Sequence, residues 1–174
     1  LVEGTDGNFY GTTWGGGAAN AGGTFSLTAG TVFQVTPAGV LTTLYSFCTQ
    51  AGCPDGFARE GALMQSTNGS FYGTTCDGAC GGTSGYGTVF KLSMGLHPFV
   101  RTLPTSGAVG QQIRILGSNL TGATSVTFNG TAATFTVSAA TLITATIPTG
   151  ATSGPVEVVT PHGTLRSNGA FRVP

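Results

Sequence analysis

The chain has 174 residues, of which 40% are hydrophobic and only 7% are charged, and its six basic residues are balanced by six acidic ones. Because nucleic acid and anionic membranes attract clustered lysine and arginine, this neutral composition argues against either partner. No apolar run approaches the roughly twenty residues that a membrane-spanning helix needs, and the chain is too apolar and too weakly charged to be disordered.

Glycine occupies 30 positions, whereas residues that favour helices are scarce. Glycine supplies the backbone freedom that tight turns need, and threonine suits a pleated, half-exposed surface. We therefore predict an all-β protein with many hairpins.

An internal repeat organises the first hundred residues. The segment TDGNFYGTT at 5–13 returns 62 residues later as TNGSFYGTT at 67–75. A second block, GTVFQV at 30–35, returns after 57 residues as GTVFKL at 87–92. The glycine-rich stretch between the blocks differs in length between the copies, which is typical of a surface loop. We predict two tandem β repeats within residues 1–103, over about 1–61 and 62–103.

Each repeat is predicted to form four short strands. Asp-Gly at 6–7 and Asn-Gly at 68–69 indicate type I′ hairpin turns, which need positive φ at both central residues, and Pro-Ala-Gly at 37–39 indicates a further turn. The fourth strand of the second repeat is predicted at 98–103. The other strand candidates are 1–3, 8–13, 31–36, 40–47, 62–66 and 70–75.

Four strands in about sixty residues is the size of one propeller blade, so we predict two four-stranded, blade-like repeats. A β-solenoid or a stacked sandwich is the competing arrangement. Two blades do not close a ring, and repeat arrays generally need at least about three units to be stable.

The four cysteines form two close pairs, Cys48 with Cys53 and Cys76 with Cys80. Disulfides within each pair are favoured, because short spacings in glycine-rich loops bring the Cα atoms within bonding range. Free thiols and a metal site are the alternatives, and the other connectivities stay open. Disulfides would place the protein outside the reducing cytosol.

After residue 103 the repeat stops, and short strands alternate polar and apolar residues between glycine, asparagine and proline turns. Several such strands in about seventy residues predict a small immunoglobulin-like β-sandwich over 104–174. The predicted strands are 112–116, 125–128, 134–137, 142–147 and 156–159.

This second part is similar to the IPT/TIG family of immunoglobulin-like domains. The resemblance is carried by PTSG at 104–107, ILGSNL at 115–120, VTFNGTAA at 126–133 and IPTGATSG at 147–154, in that order. It covers the whole of 104–174 and implies an immunoglobulin-like sandwich there.

The first part resembles the bacterial tandem repeat called GloVer, found in choice-of-anchor proteins. The resemblance is carried by DGNFYGTT at 6–13, GTVF at 30–33 and LTTLYSF at 41–47. It implies secretion or surface display, with usually several more repeats than the two seen here. It supplies no biochemical activity.

Titratable residues give no sign of an active site. Asp6, Asp55 and Asp77 each precede glycine and are weak calcium candidates, with Asn8 or Glu60 as further ligands, but ordinary turn chemistry explains them better. No pair of carboxylates suggests a glycosidase, and the two histidines are predicted to be solvated. We predict a non-enzymatic chain without a metal or cofactor.

Aromatic residues are the remaining candidates for function. Neighbouring residues on a strand face opposite sides, so one ring of each Phe-Tyr pair, at 9–10 and 71–72, should be buried and the other exposed. Exposed tyrosine rings stack on sugars or pack between subunits. The candidate ligand or interface aromatics are Tyr10, Trp14, Tyr72 and Tyr86. Packing of both rings between neighbouring sheets is the plainer interpretation and is favoured.

The leading hypothesis is a bacterial secreted or cell-surface protein, structural or adhesive in function, that self-associates through the open edges of its β repeats. Unpaired edges recruit further strands, so a homo-oligomer is expected, as a filament or a closed ring. The alternative is a carbohydrate-binding module of a larger secreted protein, with surface glycans as its partner. A weaker third hypothesis is a surface protein stabilised by calcium.

Overall fold

The computed structural model describes residues 1–17, 29–50, 54–56, 61–75 and 87–174. These residues form fifteen β-strands and no helix, which confirms the prediction of an all-β protein. They divide into two compact units, Leu1–Ser66 with Ser70–Leu96, and Thr67–Gly69 with His97–Pro174. No helix long and apolar enough to cross a membrane occurs in these ranges.

The first unit contains two open antiparallel sheets, one from each repeat. The first sheet has the order β1 to β4, formed by Val2–Glu3, Phe9–Thr12, Thr31–Val35 and Leu41–Ser46. The second sheet has the order β5 to β7, formed by Met64–Gln65, Phe71–Thr75 and Thr88–Leu92. Neither sheet closes on itself, which is consistent with the predicted blade-like arrangement.

The two sheets repeat the same register. Glu3 pairs with Phe9 in the first sheet, and Gln65 pairs with Phe71 in the second. The pairing of β2 with β3 likewise matches that of β6 with β7, residue for residue. The sequence repeat is therefore a structural repeat.

The hairpin turns at 6–7 and 68–69 differ from the type I′ prediction. Gly7 and Gly69 have positive φ, but the residues before them do not. The Gly7 amide donates to the Gly4 carbonyl, and the Gly4 amide donates to the Asn8 carbonyl. This geometry is a three-residue loop, a type I turn followed by one glycine in the left-handed region.

The fourth strand of the second repeat was predicted wrongly at 98–103. Residues Arg101–Leu103 do form a strand, β8, but it pairs with Gln112–Leu116, β9, in the second unit. That unit also begins at His97, earlier than the predicted limit at residue 104. Alternating residues fit any half-buried sheet, so the pattern predicted a strand but not its partner.

After β9, the chain continues with β10 Ser125–Phe128, β11 Thr131–Ala132, β12 Phe135–Ala139, β13 Leu142–Thr146, β14 Val156–Thr160 and β15 Gly163–Arg166. The second unit is a sandwich of two four-stranded antiparallel sheets, ordered β11-β10-β14-β15 and β12-β13-β9-β8. It contains all five strands predicted for this part. Asn129 and Gly130 both have positive φ and join β10 to β11 directly, as a type I′ turn requires.

Each unit has its own apolar core. In the second unit, Phe128 and Phe171 meet edge to face with ring centroids 5.3 Å apart, among isoleucine, leucine and valine side chains from both sheets. In the first unit the core lies between the sheets of the two repeats and includes Tyr10, Val32, Phe47 and Phe71. The two repeats therefore fold against each other.

Candidate functional site

Tyr10 and Phe71 form the centre of the contact between the two repeats. Both side chains are fully buried, and their ring centroids lie 4.2 Å apart at an interplanar angle of 32°. Tyr10 was a candidate ligand aromatic, but burial against the second sheet removes it from the surface. It acts instead as an aromatic anchor between the sheets.

The hydroxyl of Tyr10 is held by the turn at the start of its own strand. It donates to Asp6 Oδ2 at 2.8 Å and accepts from Gln34 Nε2 at 2.9 Å. Asn8 Nδ2 donates to the same carboxylate oxygen at 2.7 Å. The Asp6 carboxylate, a weak calcium candidate, thus serves as an acceptor for protein donors.

The pKa values in this group follow from those contacts. Burial raises the pKa of Tyr10, and its hydrogen bond to Asp6 raises it further, to about 12. Burial also raises the pKa of Asp6, but the hydrogen bonds from Tyr10 and Asn8 outweigh burial, so that the pKa lies below its ordinary value. The neutral phenol and the charged carboxylate are the paired forms at neutral pH.

Each repeat presents two different faces, because residues paired across an antiparallel sheet point to the same side. We call one the tyrosine face, which carries Tyr10 in the first repeat and Tyr72 in the second. We call the other the phenylalanine face, which carries Phe9 and Phe71. The tyrosine face of the first repeat packs on the phenylalanine face of the second.

Polar contacts fix the alignment of these two faces. The Thr5 amide donates to Gln65 Oε1 at 3.1 Å, and Gln65 Nε2 donates to Thr5 Oγ1 at 3.2 Å. Thr12 Oγ1 donates to the Gly61 carbonyl at 2.9 Å. Hydrogen bonds at both ends of the Tyr10–Phe71 contact therefore set one orientation of the repeats.

The other face of each repeat carries exposed apolar side chains within the described residues. Phe9, Leu1 and Leu41 are exposed on the phenylalanine face of the first repeat. On the tyrosine face of the second repeat, Met64 and Val89 are exposed and Tyr72 is half-buried. Tyr72, a predicted interface aromatic, therefore lies on a face that carries exposed apolar side chains.

Strand β7 lies at the edge of its sheet. In the first repeat β4 covers the corresponding strand, β3, but no strand within the described ranges pairs with the outer side of β7. The Thr88 amide donates inwards to Thr75 Oγ1. Since amides alternate direction along an antiparallel strand, those of Val89 and Lys91 point towards the open edge.

A cleft of about 400 Å³ lies beside this edge. Its lining includes the exposed ring of Tyr45, the Asp55 carboxylate and Lys91. Tyr45 Oη donates to Asp55 Oδ2 at 2.8 Å, and the Cys48 amide donates to the same carboxylate at 3.1 Å. The hydrogen bond to Asp55, burial and the charge of that carboxylate raise the pKa of Tyr45.

Sequence reasoning missed this cleft. Tyr45 lies within the LTTLYSF segment at 41–47 but was not considered as a ligand aromatic, and Asp55 was considered only as a calcium ligand. Their separation by ten positions in the sequence gave no sign that the two side chains meet. An aromatic ring and a carboxylate in one open cleft are groups that bind polar, ring-shaped ligands.

Several other predicted residues are not brought into a site. Trp14 is exposed, and Cys48 is buried. No group of three or more metal-ligating side chains occurs where the structure describes the chain. The predicted positions that lie outside the described residues are Cys53, Glu60, Cys76, Asp77, Cys80 and Tyr86. The disulfide pairing accordingly stays a prediction.

Comparison with known proteins identifies the second unit. No curated protein matches the chain. Among solved structures it is similar to SGBP-B from a complex xyloglucan utilization locus in Bacteroides uniformis, with 11% sequence identity and a TM-score of 0.37. That match covers 94% of this chain and 48% of the other, so the chain spans about half of that protein's length. Residues 99–172 match the family model of the IPT/TIG domain, and the sandwich of the second unit is therefore supported as an IPT/TIG domain.

Proposed function

We propose that this chain is a secreted or cell-surface module with a structural or adhesive role, that it is not an enzyme, and that it self-associates through the open edges of its β repeats. IPT/TIG domains are a common extracellular module, which supports the location. The low charge of the chain supports contact with other protein surfaces rather than with nucleic acid.

The open edge of β7 is the observation that carries this proposal. Its outward amides lie beside an apolar side chain, Val89, that is largely exposed, and only one residue of the strand, Lys91, is charged. Natural proteins protect edge strands with charge, proline or a covering segment. An edge with so little protection favours pairing with a strand from another copy.

The test is the mass of the purified chain in solution, measured by sedimentation velocity and negative-stain microscopy. Val89→Pro removes one outward amide without removing an inner ladder bond, and we expect it to reduce assembly at least tenfold. Val89→Ala is the matched control, since it trims the same side chain but keeps the amide. Equal assembly by both variants contradicts the role of the edge.

A second candidate function is carbohydrate binding, and the cleft beside β7 favours it. The exposed Tyr45 ring offers a face on which a sugar stacks, while Asp55 accepts hydrogen bonds from sugar hydroxyls. Both groups are held in place by their mutual hydrogen bond.

Calorimetric titration with a panel of plant and bacterial polysaccharides tests this alternative. If the cleft binds sugar, Tyr45→Ala abolishes binding while Trp14→Ala and Tyr72→Ala retain it. If Trp14→Ala and Tyr72→Ala lose binding instead, the sugar binds at the aromatic residues predicted from the sequence and not in the cleft. Absence of binding across the panel by the wild-type chain counts against the alternative.

A further inference from the structure

The contact between the two repeats uses one face of each, and the faces are different. The tyrosine face of the first repeat meets the phenylalanine face of the second, as the Tyr10–Phe71 contact shows. Among the described residues, each kind of face is therefore covered once and exposed once. The open pair consists of the same two kinds of surface as the covered pair.

Equivalent residues differ sharply in exposure between the covered and open faces. On the phenylalanine face, Phe71 is 0% exposed but its equivalent Phe9 is 37% exposed, and Leu63 is 7% exposed whereas Leu1 is 83% exposed. On the tyrosine face, Val32 is 1% exposed whereas its equivalent, Val89, is 76% exposed. These positions are apolar in both repeats, although only one copy of each is buried.

The open phenylalanine face already has the shape of the covered one. In the covered face, a Cβ added to Gly73 would lie 2.5 Å from Phe90 Cζ. In the open face, a Cβ added to Gly11 would lie 2.7 Å from Phe33 Cζ. A phenylalanine ring lies over a glycine in each case, so the surface that receives a neighbour is preformed.

The polar residues of the open pair are complementary in charge. At the covered contact, Gln65 pairs with Phe71 on one face and Gln34 pairs with Tyr10 on the other. The equivalent residues on the open faces are Glu3 and Lys91, both exposed. Two neutral amides inside the chain are thus replaced by one acid and one base on the surfaces that remain free.

From these observations we propose that copies of this chain stack head to tail, with the open tyrosine face of one copy on the open phenylalanine face of the next. The occupant of each open face is a second copy of the chain, held in the register that the two repeats show within one copy. The proposal rests on the proposed self-association but uses the sheet faces rather than the strand edges. Because the two surfaces differ, the contact is heterologous and produces a ring or an open filament.

Complementation between two blocked variants tests this proposal. Met64→Glu places a charge on the open tyrosine face, and Phe9→Glu places one on the open phenylalanine face. Each variant alone should remain monomeric in sedimentation velocity. An equimolar mixture should form dimers and nothing longer, because only one unblocked face of each variant remains to pair.

Matched controls separate this result from misfolding. Leu41→Glu blocks the same face as Phe9→Glu at a more exposed position and should behave in the same way. Val109→Glu adds the same charge to an exposed position in the second unit and should leave assembly unchanged. Circular dichroism and the melting temperature of each monomer should match those of the wild-type chain.

Charge reversal provides a second, independent readout. Glu3→Lys or Lys91→Glu alone should weaken association at least fivefold, and the double reversal in one chain should restore it. Both the wild-type assembly and the restored assembly should weaken with added salt.

The outcomes distinguish this proposal from the one based on edges. If each face variant alone assembles as the wild-type chain does, face stacking is overturned while the edge remains. If Val89→Pro and Val89→Ala assemble equally and the mixture of Met64→Glu with Phe9→Glu forms dimers, assembly uses the sheet faces and not the β7 edge. A wild-type chain that is monomeric up to about 100 µM overturns both and leaves a further repeat of a longer polypeptide as the occupant.

Discussion

Tyr10 stacks on Phe71, although the two residues are not equivalent in the repeat: Phe71 corresponds to Phe9, and Tyr10 corresponds to Tyr72. A contact between non-equivalent positions has a direction, whereas a contact between equivalent positions would be symmetric and would leave like faces outside. This single ring contact therefore accounts for the unlike surfaces at the two ends of the repeat unit.

Removal of the Phe71 ring should destabilise the repeat unit strongly. Phe71→Ala deletes a fully buried ring, and such changes cost about 3–5 kcal/mol. Trp14, the single tryptophan, reports unfolding of this unit by fluorescence in urea. Val40→Ala, at an exposed turn position, is the control and should change the free energy of unfolding by less than about 0.5 kcal/mol. A small effect of Phe71→Ala would show that the two repeats do not depend on each other.

The repeat unit should lose stability in the alkaline range. The pKa of Tyr10 is about 12 in the folded chain against 10.0 ordinarily, so the folded state holds this proton more tightly than the unfolded state. The stabilisation is complete below pH 10 and is lost as the pH rises through 12. Urea midpoints measured across this range should fall less in Tyr10→Phe than in the wild-type chain. An identical pH profile for Tyr10→Phe and the wild-type chain would contradict the assignment of this loss to Tyr10.

Two glycines at the same position of the repeat should differ in their tolerance of a side chain. Gly73→Ala forces a Cβ against Phe90, whose ring also contacts Phe47 at 5.2 Å between centroids, so we expect a loss of about 1–3 kcal/mol. Gly11→Ala meets Phe33 on an open face, where the ring is free to move outwards. The second substitution should cost less in the monomer. Equal costs would mean that the covering sheet does not restrain the ring.

The predicted disulfides can be checked directly on the native chain. Peptide mapping by mass spectrometry without reduction should yield crosslinks joining Cys48 to Cys53 and Cys76 to Cys80. A crosslink between the two pairs would replace this connectivity with one that joins the repeats. Complete alkylation of all four thiols in the native, unreduced protein would contradict disulfides altogether.

The sequence predicted strands better than it predicted their partners. In the second unit, strict alternation of residues such as Ile113 and Ile115 located every predicted strand, because one face of each sheet is buried. At Arg101–Leu103 the same signal located a strand but gave the wrong sheet. The type I′ prediction failed at Asp6 because Asp-Gly also suits a three-residue loop, and only the backbone distinguishes them.

The candidate site was less accessible to sequence analysis than the fold. Phe-Tyr-Gly-Thr occurs identically in both repeats, so no local pattern distinguishes the buried Tyr10 from the half-buried Tyr72. Whether the tyrosine is buried depends on whether another sheet packs on its face. That depends on how the two repeats pack together and not on the four-residue sequence itself. For the same reason, the meeting of Tyr45 with Asp55 depends on how a loop folds back and not on either residue.

The directional contact between the repeats has a consequence for how such a protein changes over evolution. Duplication of a repeat inside the array creates a new internal contact of the existing kind, while the first and last repeats keep their outer surfaces. The array is thus free to lengthen or shorten by whole repeats without any substitution at its two ends. Selection on those terminal surfaces is then independent of selection on length.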